Sequence, residues 1–281
     1  RPQAYTLALA IRPLQVNPPT QFLSTVGGVS RIDDISLGSI VTEVNGEPRL
    51  FARQAPDARF ASAFDHGMAA SLLGSSELPE ATRVEDPTGL ASGALLYRMQ
   101  LAPGESREVD LLAPLIGDMP FKANDWSASA MQASTARAWR EQLDDVRIDV
   151  PPEGQALADT VRTATAHMLI SRVGPSLRPG TRSYARSWIR DGAMISEGLL
   201  RMGRIEAVRE YVDWYAPFQF DDGKVPCCVD DRGSDPVPEN DSHGELIFNI
   251  AEYWRYTGDD AFLARMWPHV LAAYEYMESL A

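Results

Sequence analysis

The connections between the predicted helices of the C-terminal half constrain the fold more strongly than any other feature of this sequence. After Pro152 the apolar positions recur with helical spacing, and five helices follow one another. The connections around Gly203 and Gly258 are two or three residues long, whereas the two alternate connections are about 17 and about 22 residues long. Short connections force antiparallel neighbours, so both long connections must lie at the same end of the helical array.

The five predicted helices indicate a repeated helical hairpin. The starts of the first and third helices are about 50 residues apart, and so are those of the second and fourth. They run from about Gln155 to Arg172, from near Asp191 to Gly203, from Ile205 to Tyr215, through Leu246 to Thr257, and onward from Asp259. Pro268 either kinks the last helix or lies in the first turn of a new one. That helix reaches Ala281 with a full apolar face, which predicts that the chain is a fragment and that further residues of the same protein complete the array.

The N-terminal half shows short, period-two apolar runs separated by turn residues. Strand-like runs occur at residues 5–11, 39–44 and 94–99, and Asn45-Gly46 is a hairpin signal. These features predict an antiparallel β-sandwich over residues 1–120. Residues 121–152 are rich in alanine and end at Pro151-Pro152, so they predict a helical linker. The helical domain is then expected over residues 153–281.

The charge of the chain narrows its partners. Asp and Glu number 39 against 26 Lys and Arg, a formal net charge of −13. Such a surface repels phosphate groups, so neither nucleic acid nor a membrane surface is expected as a partner. Ala8-Leu9-Ala10 imitates a signal-peptidase site, but one basic residue precedes the apolar run and Arg12 follows it, so a strand is the preferred interpretation. The sequence carries no clear localisation signal, and a secreted or periplasmic protein is the preferred expectation.

The two long connections hold the residues with the clearest chemistry. The first ends in Tyr184-Ala-Arg186-Ser-Trp188-Ile-Arg190-Asp191, and the second holds most of the acidic residues between 219 and 245. Aromatic rings stack on sugar faces, while guanidinium and carboxylate groups bind hydroxyls in pairs. A shared rim of this composition predicts a neutral, polyhydroxylated ligand.

At these residues the chain resembles the six-hairpin glycosidases, in particular the bacterial glucoamylase-like branch. Trp188-x-Arg190-Asp191 at a helix start is similar to the W-x-R-D signature of that family. Glu239-x-Asp241-x-x-Gly244-Glu245 is similar to its Q-x-D-x-x-G-E run, with Glu239 in place of the usual Gln. Thr257-Gly258-Asp259 followed by Trp267-Pro268 also resembles that branch. The resemblance implies an (α/α)6 barrel of which this chain holds the first part.

The same resemblance implies that the chain contains part of a sugar pocket. The residues that it assigns to substrate binding are Trp188, Arg190, Asp191, Glu239 and Asp241. The general acid and general base of the family lie on later hairpins, which would fall beyond Ala281, so the catalytic carboxylates of this protein are unknown from the sequence. The leading hypothesis is a glycoside hydrolase that acts through an acid and base carboxylate pair. A sugar phosphorylase of the same architecture and a non-catalytic carbohydrate-binding module are the alternatives.

Several of these residues also have a purely structural interpretation. Asp191 suits a helix N-cap, and Ser242-x-x-Glu245 has the pattern of a capping box. Glu239 and Asp241 could be solvated charges beside a helix start. His243 is expected either at the surface of a first helical turn or in contact with a ligand.

The remaining histidines and the cysteines are interpreted structurally. His167 is expected in the core because it falls on an apolar helical face with Leu157 and Val161, and His66 is expected at the surface or satisfied in the core. Cys227-Cys228 is expected to be a buried, unreactive pair, with a disulfide between the two facing the pocket as the alternative. Motifs for nucleotide binding, zinc hydrolysis and serine hydrolysis are absent from the sequence, and neither a metal nor a cofactor is expected.

Overall fold

The computed structural model describes residues 1–17, 28–115, 126–181 and 184–281. These residues form two compact units, an N-terminal unit that ends at residue 135 and a C-terminal unit that begins at residue 136. The division falls within helix α2, Ala128–Leu143. The predicted boundary near residue 120 lies outside the described residues, so the predicted domain limits remain predictions.

The N-terminal unit is built from antiparallel strands, as the period-two pattern predicts. The strands are β1 Gln3–Ile11, β2 Gln15–Asn17, β3 Gly28–Val29, β4 Asp34–Leu37, β5 Val41–Val44, β6 Glu47–Ala52, β7 Ala58–Ser62, β8 Arg83–Glu85, β9 Ser92–Leu101 and β10 Leu111–Leu112, with the short helix α1 Ala69–Leu72 between β7 and β8. One sheet has the order β1-β9-β7 and another has the order β10-β6-β5-β4-β8. The Asn45-Gly46 hairpin is confirmed, because both residues have positive φ and Val44 pairs with Glu47.

Strand β9 is covered on both of its faces. Leu95 and Tyr97 belong to a core cluster shared with Ile35 of the larger sheet, whereas Ala94 and Leu96 pack in a second cluster around Phe60. Successive side chains of a strand point to opposite faces, so this division follows directly from the backbone. It also explains the continuous apolar run Ala94-Leu95-Leu96-Tyr97, which departs from the period-two pattern predicted for residues 94–99.

Asp86 organises the loop that follows β8. Its carboxylate accepts hydrogen bonds from the Thr88 hydroxyl at 2.6 Å, the Thr88 amide at 2.9 Å and the Phe64 amide at 2.7 Å. These bonds, with that of the Thr88 hydroxyl first, hold the pKa of Asp86 below its ordinary value.

We expect the Asp86→Asn variant to lose a stabilising contribution that is present at neutral pH and absent in acid. A carboxyl with a lowered folded-state pKa stabilises the protein above its unfolded pKa of about 3.9, and this contribution is lost as the pH falls through the folded-state pKa. Asp86→Asn should therefore unfold more easily than the wild type at pH 7, and the difference should narrow below about pH 4. Urea unfolding at both pH values checks this. Asp65→Asn, at an exposed position beside Phe64, is the control; an equal loss there would contradict the account.

The C-terminal unit is helical, with the helix order that the sequence predicts. Its helices are α3 Gln155–Ser171, α4 Ile189–Arg201, α5 Ile205–Tyr215, α6 Ser242–Thr257 and α7 Asp260–Ser279. Gly203 and Gly258 have positive φ in the two short connections, as expected of residues that end a helix. Helix α7 continues through Pro268, so no new helix begins there. The core of this unit combines residues of α4, α5, α6 and α7, among them Leu199, Tyr211, Leu246 and Phe262.

The face predicted to be buried on α3 is wrong. Leu157 is 74% exposed, Val161 is 42% exposed, and His167 is exposed as well. The buried positions are Ala158 and Thr165, and Met168 packs against the core from the same helix. The packed face of α3 is therefore the one that carries Ala158, Thr165 and Met168. His66 is exposed, in agreement with its expected surface position.

Among the residues that the structure describes, no helix combines the length with the apolar character needed to cross a bilayer.

Candidate sugar-binding site

The two long connections of the helical unit meet, as the alternation of short and long connections predicts. Residues Ser187–Trp188 form strand β11, which pairs antiparallel with β12, Cys228–Asp230. Trp188 lies opposite Cys228 in this ladder, and β12 pairs in turn with β13, Gly233–Ser234. The end of segment 173–189 and the middle of segment 219–241 are therefore hydrogen-bonded neighbours. We refer to this shared region, together with the first turns of α4 and α6, as the rim.

The chain passes from β11 into α4 without an intervening turn. Trp188 has the extended conformation of an N-cap residue, and the Ile189 amide donates a hydrogen bond to the Cys227 carbonyl at 3.1 Å. Asp191 is the third residue of the helix, so its prediction as the N-cap is wrong. The strand pairing fixes the helix start earlier than the side-chain pattern indicates. In the first turn a carboxylate is still favoured by the helix dipole.

Arg190 connects the starts of α4 and α6. Its guanidinium donates hydrogen bonds to both carboxylate oxygens of Asp241, one of them from Nη2 to Oδ1 at 2.9 Å. Nη2 also donates to Oε2 of Glu239 at 2.9 Å. The Arg190 hydrogen bond is the main reason why the pKa of Asp241 lies below its ordinary value. Three residues that the sequence predicts for one site are thus in direct contact.

The Arg190 guanidinium keeps donors for a ligand. Of its five N–H groups, those on Nε and Nη2 bind the two carboxylates. Within the described residues, Nη1 makes no hydrogen bond, and 48% of the side chain is exposed. The carboxylates therefore fix the plane of the guanidinium and leave one nitrogen available.

A row of large side chains leads to Trp188. The ring of Tyr184 lies 6.3 Å from that of Trp188, and Cζ of Arg186 lies 5.6 Å from the Trp188 ring. Arg186 and Trp188 are separated by one residue, which is the spacing of side chains on one face of a strand, whereas Arg190 follows in the first turn of α4. Sequence reasoning gave Arg186 no role, although this alternation could have revealed the strand and its shared face.

Arg186 is the buried ionic centre beneath the rim. Its side chain is 4% exposed, and it lies 2.8 Å from Oδ2 of Asp230 through Nε and 2.8 Å from Oδ2 of Asp235 through Nη2. Both partners come from the second long connection. The ion pairs hold the segment before Trp188 against the segment that contains β12 and β13.

The start of α6 differs from the predicted capping box. Asp241 is the N-cap residue and makes no side-chain capping bond, while Ser242 is already helical. The Ser242 hydroxyl is buried and makes no hydrogen bond to the described residues. Glu245 is half-buried, and its pKa is raised by burial and by the Asp241 charge. The capping box does not form because Asp241 is turned toward Arg190.

His243 is part of the core, so its predicted surface position is wrong. Its side chain is buried, and Nδ1 accepts a hydrogen bond from the Val225 amide at 3.1 Å. Its ring packs 4.8 Å from that of Tyr276 in α7. The residue therefore ties the second long connection to α6 and α7, and burial lowers its pKa.

Two open grooves flank Met194 on α4. One has a volume of about 490 Å³ and includes Asp241, Glu245 and Phe248 in its lining. The other has a volume of about 760 Å³ and includes Asp191, His167 and Arg178. Met194, which is 70% exposed, lies between them. Of the predicted site residues, Asp191 lines the larger groove and Asp241 the smaller one, and both grooves have the size that binds small ligands.

Cys227 and Cys228 are free, buried thiols, so the disulfide that is the alternative in the sequence interpretation is not formed here. With Asp235 they form a group whose potential ligand atoms all lie within 4.8 Å of one another. The carboxylate of Asp235 is already engaged by Arg186 and by the Val237 amide. A cation at this place would have to displace Arg186, so the group is a poor fit for a metal site.

Comparison with known proteins relates the chain to one enzyme fold. No protein-family model matches the sequence, and no curated protein matches it. Among solved structures, a bacterial glucoamylase complexed with acarbose is similar, with a TM-score of 0.56 and 9% sequence identity. The match covers 90% of this chain and 47% of the glucoamylase chain, so this chain spans about half the length of that enzyme. The likeness establishes a glucoamylase-like fold.

Proposed function

We propose that this chain carries part of the sugar pocket of a glycoside hydrolase with an (α/α)6 barrel and a preceding β-sandwich. The observation that carries the proposal is the contact of Arg190 with Asp241 and Glu239, which joins the first turns of α4 and α6. The fold is similar to that of a bacterial glucoamylase, and the contact joins residues of the two motifs through which the sequence resembles that family. The Arg190 guanidinium is half-exposed, and its partner Asp241 lines an open groove, so both side chains are accessible to a ligand.

In this proposal each residue of the rim has a specific task. Arg190 donates from Nη1 to a sugar hydroxyl, and its orientation is set by Asp241 and Glu239 before the ligand arrives. Asp191 accepts hydrogen bonds from neighbouring hydroxyls, and Trp188 stacks on an apolar sugar face. The negative charge that surrounds Arg190 favours neutral sugars over phosphorylated ones.

The chemistry proposed for the complete pocket is hydrolysis by two carboxyl groups. One protonates the leaving oxygen, and the other activates water or attacks the anomeric carbon. The identity of both groups is left open, because the resemblance places them on later hairpins of the barrel. Further residues of the same protein would supply these hairpins in the proposal.

Arg190→Ala should weaken binding of acarbose, the ligand of the similar glucoamylase, by about 2 kcal/mol, which is about 30-fold in Kd. The physical reason is the loss of a charge-assisted hydrogen bond whose donor was already oriented. Isothermal titration calorimetry on the purified chain measures the effect. Arg190→Lys should also bind weakly, because an ammonium group lacks the planar set of N–H donors that Asp241 orients in the guanidinium.

Arg201→Ala is the matched control for this prediction. Arg201 is on the same helix, is 66% exposed and pairs with Glu197. Its removal should leave Kd unchanged. Equal affinities of the Arg190→Ala variant and the wild type, with both folded by circular dichroism, would remove Arg190 from the pocket.

An activity assay distinguishes hydrolysis from the alternatives. Release of free glucose and of glucose 1-phosphate from maltooligosaccharides is measured with and without inorganic phosphate, on the chain and on any longer protein that contains it. Hydrolysis predicts release that is independent of phosphate. Release that requires phosphate would identify a phosphorylase, and binding without release in the longer protein would identify a non-catalytic module.

A further inference from the structure

We propose that Cys227 and Cys228 form a redox-modification site, at which hydrogen peroxide converts the two thiols into a disulfide between adjacent residues and thereby weakens sugar binding at the rim. The second half of this statement rests on the proposed function, whereas the first half is independent of it. The starting observation is that both cysteines are free and their Sγ atoms lie 3.3 Å apart.

The short distance between the sulfur atoms requires a special backbone. Successive side chains of a strand point to opposite faces, which would separate adjacent thiols. Here β12 begins at Cys228, and Cys227 lies in a bend before it. The bend places both sulfur atoms on the same side. Their positions are thus set before any reaction begins.

The surroundings of the pair favour reaction at Cys227. The hydrogen bond from Cys228 is the main cause that lowers the pKa of the Cys227 thiol, and it outweighs burial and the charges of Asp235 and Glu239, which act to raise that pKa. A thiolate is the nucleophilic form of cysteine. Cys228, whose pKa is raised, remains the protonated partner that reacts second.

The reaction with hydrogen peroxide balances in two steps. The Cys227 thiolate attacks one peroxide oxygen, so that an S–O bond forms, the O–O bond breaks, and the departing hydroxide takes up the proton from the thiol to leave water. The Cys228 sulfur then attacks Sγ of Cys227, an S–S bond forms, and hydroxide leaves with the Cys228 proton as a second water. Two thiols lose two electrons in total, and the peroxide is reduced to two waters.

Burial selects the oxidant and protects the intermediate. Cys227 is 4% exposed and Cys228 is 1% exposed, so a small neutral oxidant reaches them more readily than a bulky disulfide. The neighbouring thiol is held within reach of the sulfenic acid, and such proximity accelerates closure greatly over a reaction in solution. Closure should therefore precede further oxidation.

A disulfide at this place must disturb the rim. A disulfide would close a ring through the peptide bond between the two residues, and the Sγ atoms, now 3.3 Å apart, must approach to about 2.05 Å, so the backbone around the pair has to change. The Cys227 carbonyl accepts from the Ile189 amide at 3.1 Å, and Cys228 is opposite Trp188 in the ladder. A changed backbone at the pair would therefore move Trp188 and the first turn of α4, which carries Arg190.

Peptide mass spectrometry tests the chemical half directly. Trypsin releases residues 225–232, which contain both cysteines and no methionine, and residues 191–201, which contain Met194 as a marker of peroxide dose. At doses that oxidise the exposed Met194, the first peptide should lose two hydrogens, and dithiothreitol should restore them. In Cys228→Ser and Cys227→Ser the same peptide should never lose two hydrogens, and Cys228→Ser should accumulate a sulfenic acid that dimedone captures.

Two results would overturn the chemical assignment: a wild-type peptide that stays unchanged while Met194 is oxidised, or one that gains oxygen atoms as the single variants do. For the regulatory half, the reduced and oxidised chains are titrated with the same sugar. The oxidised chain should bind about tenfold more weakly, the loss of about one hydrogen bond, and dithiothreitol should reverse the loss. Equal affinities of the two forms would overturn the coupling. Absence of binding by the reduced chain would instead overturn the proposed function and leave the thiol chemistry standing.

Discussion

Replacing Gly223 with alanine is expected to destabilise the helical unit by about 3 kcal/mol or more. Gly223 has φ of +89°, and a Cβ atom there would lie 2.2 Å from the carbonyl oxygen of Ala272 and 2.8 Å from its carbon. Both atoms belong to the backbone of α7, so no side chain can rotate away. The positive φ costs about 1 to 2 kcal/mol for a residue with a Cβ, and forced packing adds about 1 to 3 kcal/mol.

The same glycine lies in the loop that attaches the second long connection to α7. Gln219 Nε2 donates to the Gly223 carbonyl at 2.9 Å and to the His269 carbonyl at 3.2 Å, and its Oε1 lies 2.9 Å from His269 Nδ1. Displacing Gly223 would break this attachment. We therefore also expect Gly223→Ala to bind sugar more weakly, because the second long connection, which contributes to the rim, would be displaced.

Gly233→Ala is the matched control for Gly223→Ala. Gly233 has φ of +97°, but no atom lies within 4 Å of the position of its Cβ, so only the backbone cost of about 1 to 2 kcal/mol applies. Denaturant unfolding followed by tryptophan fluorescence reports mainly on the C-terminal unit, because every tryptophan except Trp126 belongs to it. Equal losses in the two variants would show that Gly223 is not closely packed on α7.

Arg186→Met is expected to cost about 3 to 5 kcal/mol of folding free energy at pH 7. Methionine replaces the aliphatic part of the arginine side chain but leaves Asp230 and Asp235 without their buried cation. A buried charge without a partner strongly destabilises the folded state. Their side chains are 13% and 20% exposed, so water compensates only in part. Arg232→Met is the control, since Arg232 also pairs with Asp230 but is 68% exposed and should contribute less than about 1 kcal/mol.

The cost of Arg186→Met should depend on pH in a defined direction. Burial acts to raise the pKa of Asp235, but the hydrogen bond from Arg186 leaves that pKa below the ordinary value. The stabilisation is therefore present above the unfolded pKa of about 3.9 and is lost as the pH falls through the folded-state value. The difference between variant and wild type should shrink below about pH 4. A difference that is constant from pH 7 to pH 3 would show that the loss is one of packing alone.

The helices could be predicted from the sequence because their signals are local. The apolar spacing of α5 and the glycines at 203 and 258 specify limits that the structure reproduces within a few residues. The prediction that the two long connections meet also succeeds, because chain direction follows from connection length alone. The antiparallel strands of the N-terminal unit follow from alternation and from one hairpin turn in the same way.

Features that depend on distant partners could not be predicted. The pairing of β11 with β12, the burial of His243 and the ionic centre at Arg186 each join residues that are far apart in the sequence. The capping box at Ser242 fails for the same reason, since Asp241 is held by Arg190 of another helix. On α3, the number of apolar residues is misleading, because the small residues Ala158 and Thr165 determine the packed face.

The crystal structure of this chain with a bound oligosaccharide tests the central claim most directly. The account predicts one sugar ring at the rim, with a hydroxyl within about 3 Å of Nη1 of Arg190 and a ring face against Trp188. Arg190 should keep its contacts with Asp241 and Glu239 in that complex. A sugar bound away from the first turns of α4 and α6, with Nη1 of Arg190 facing solvent, would contradict the claim.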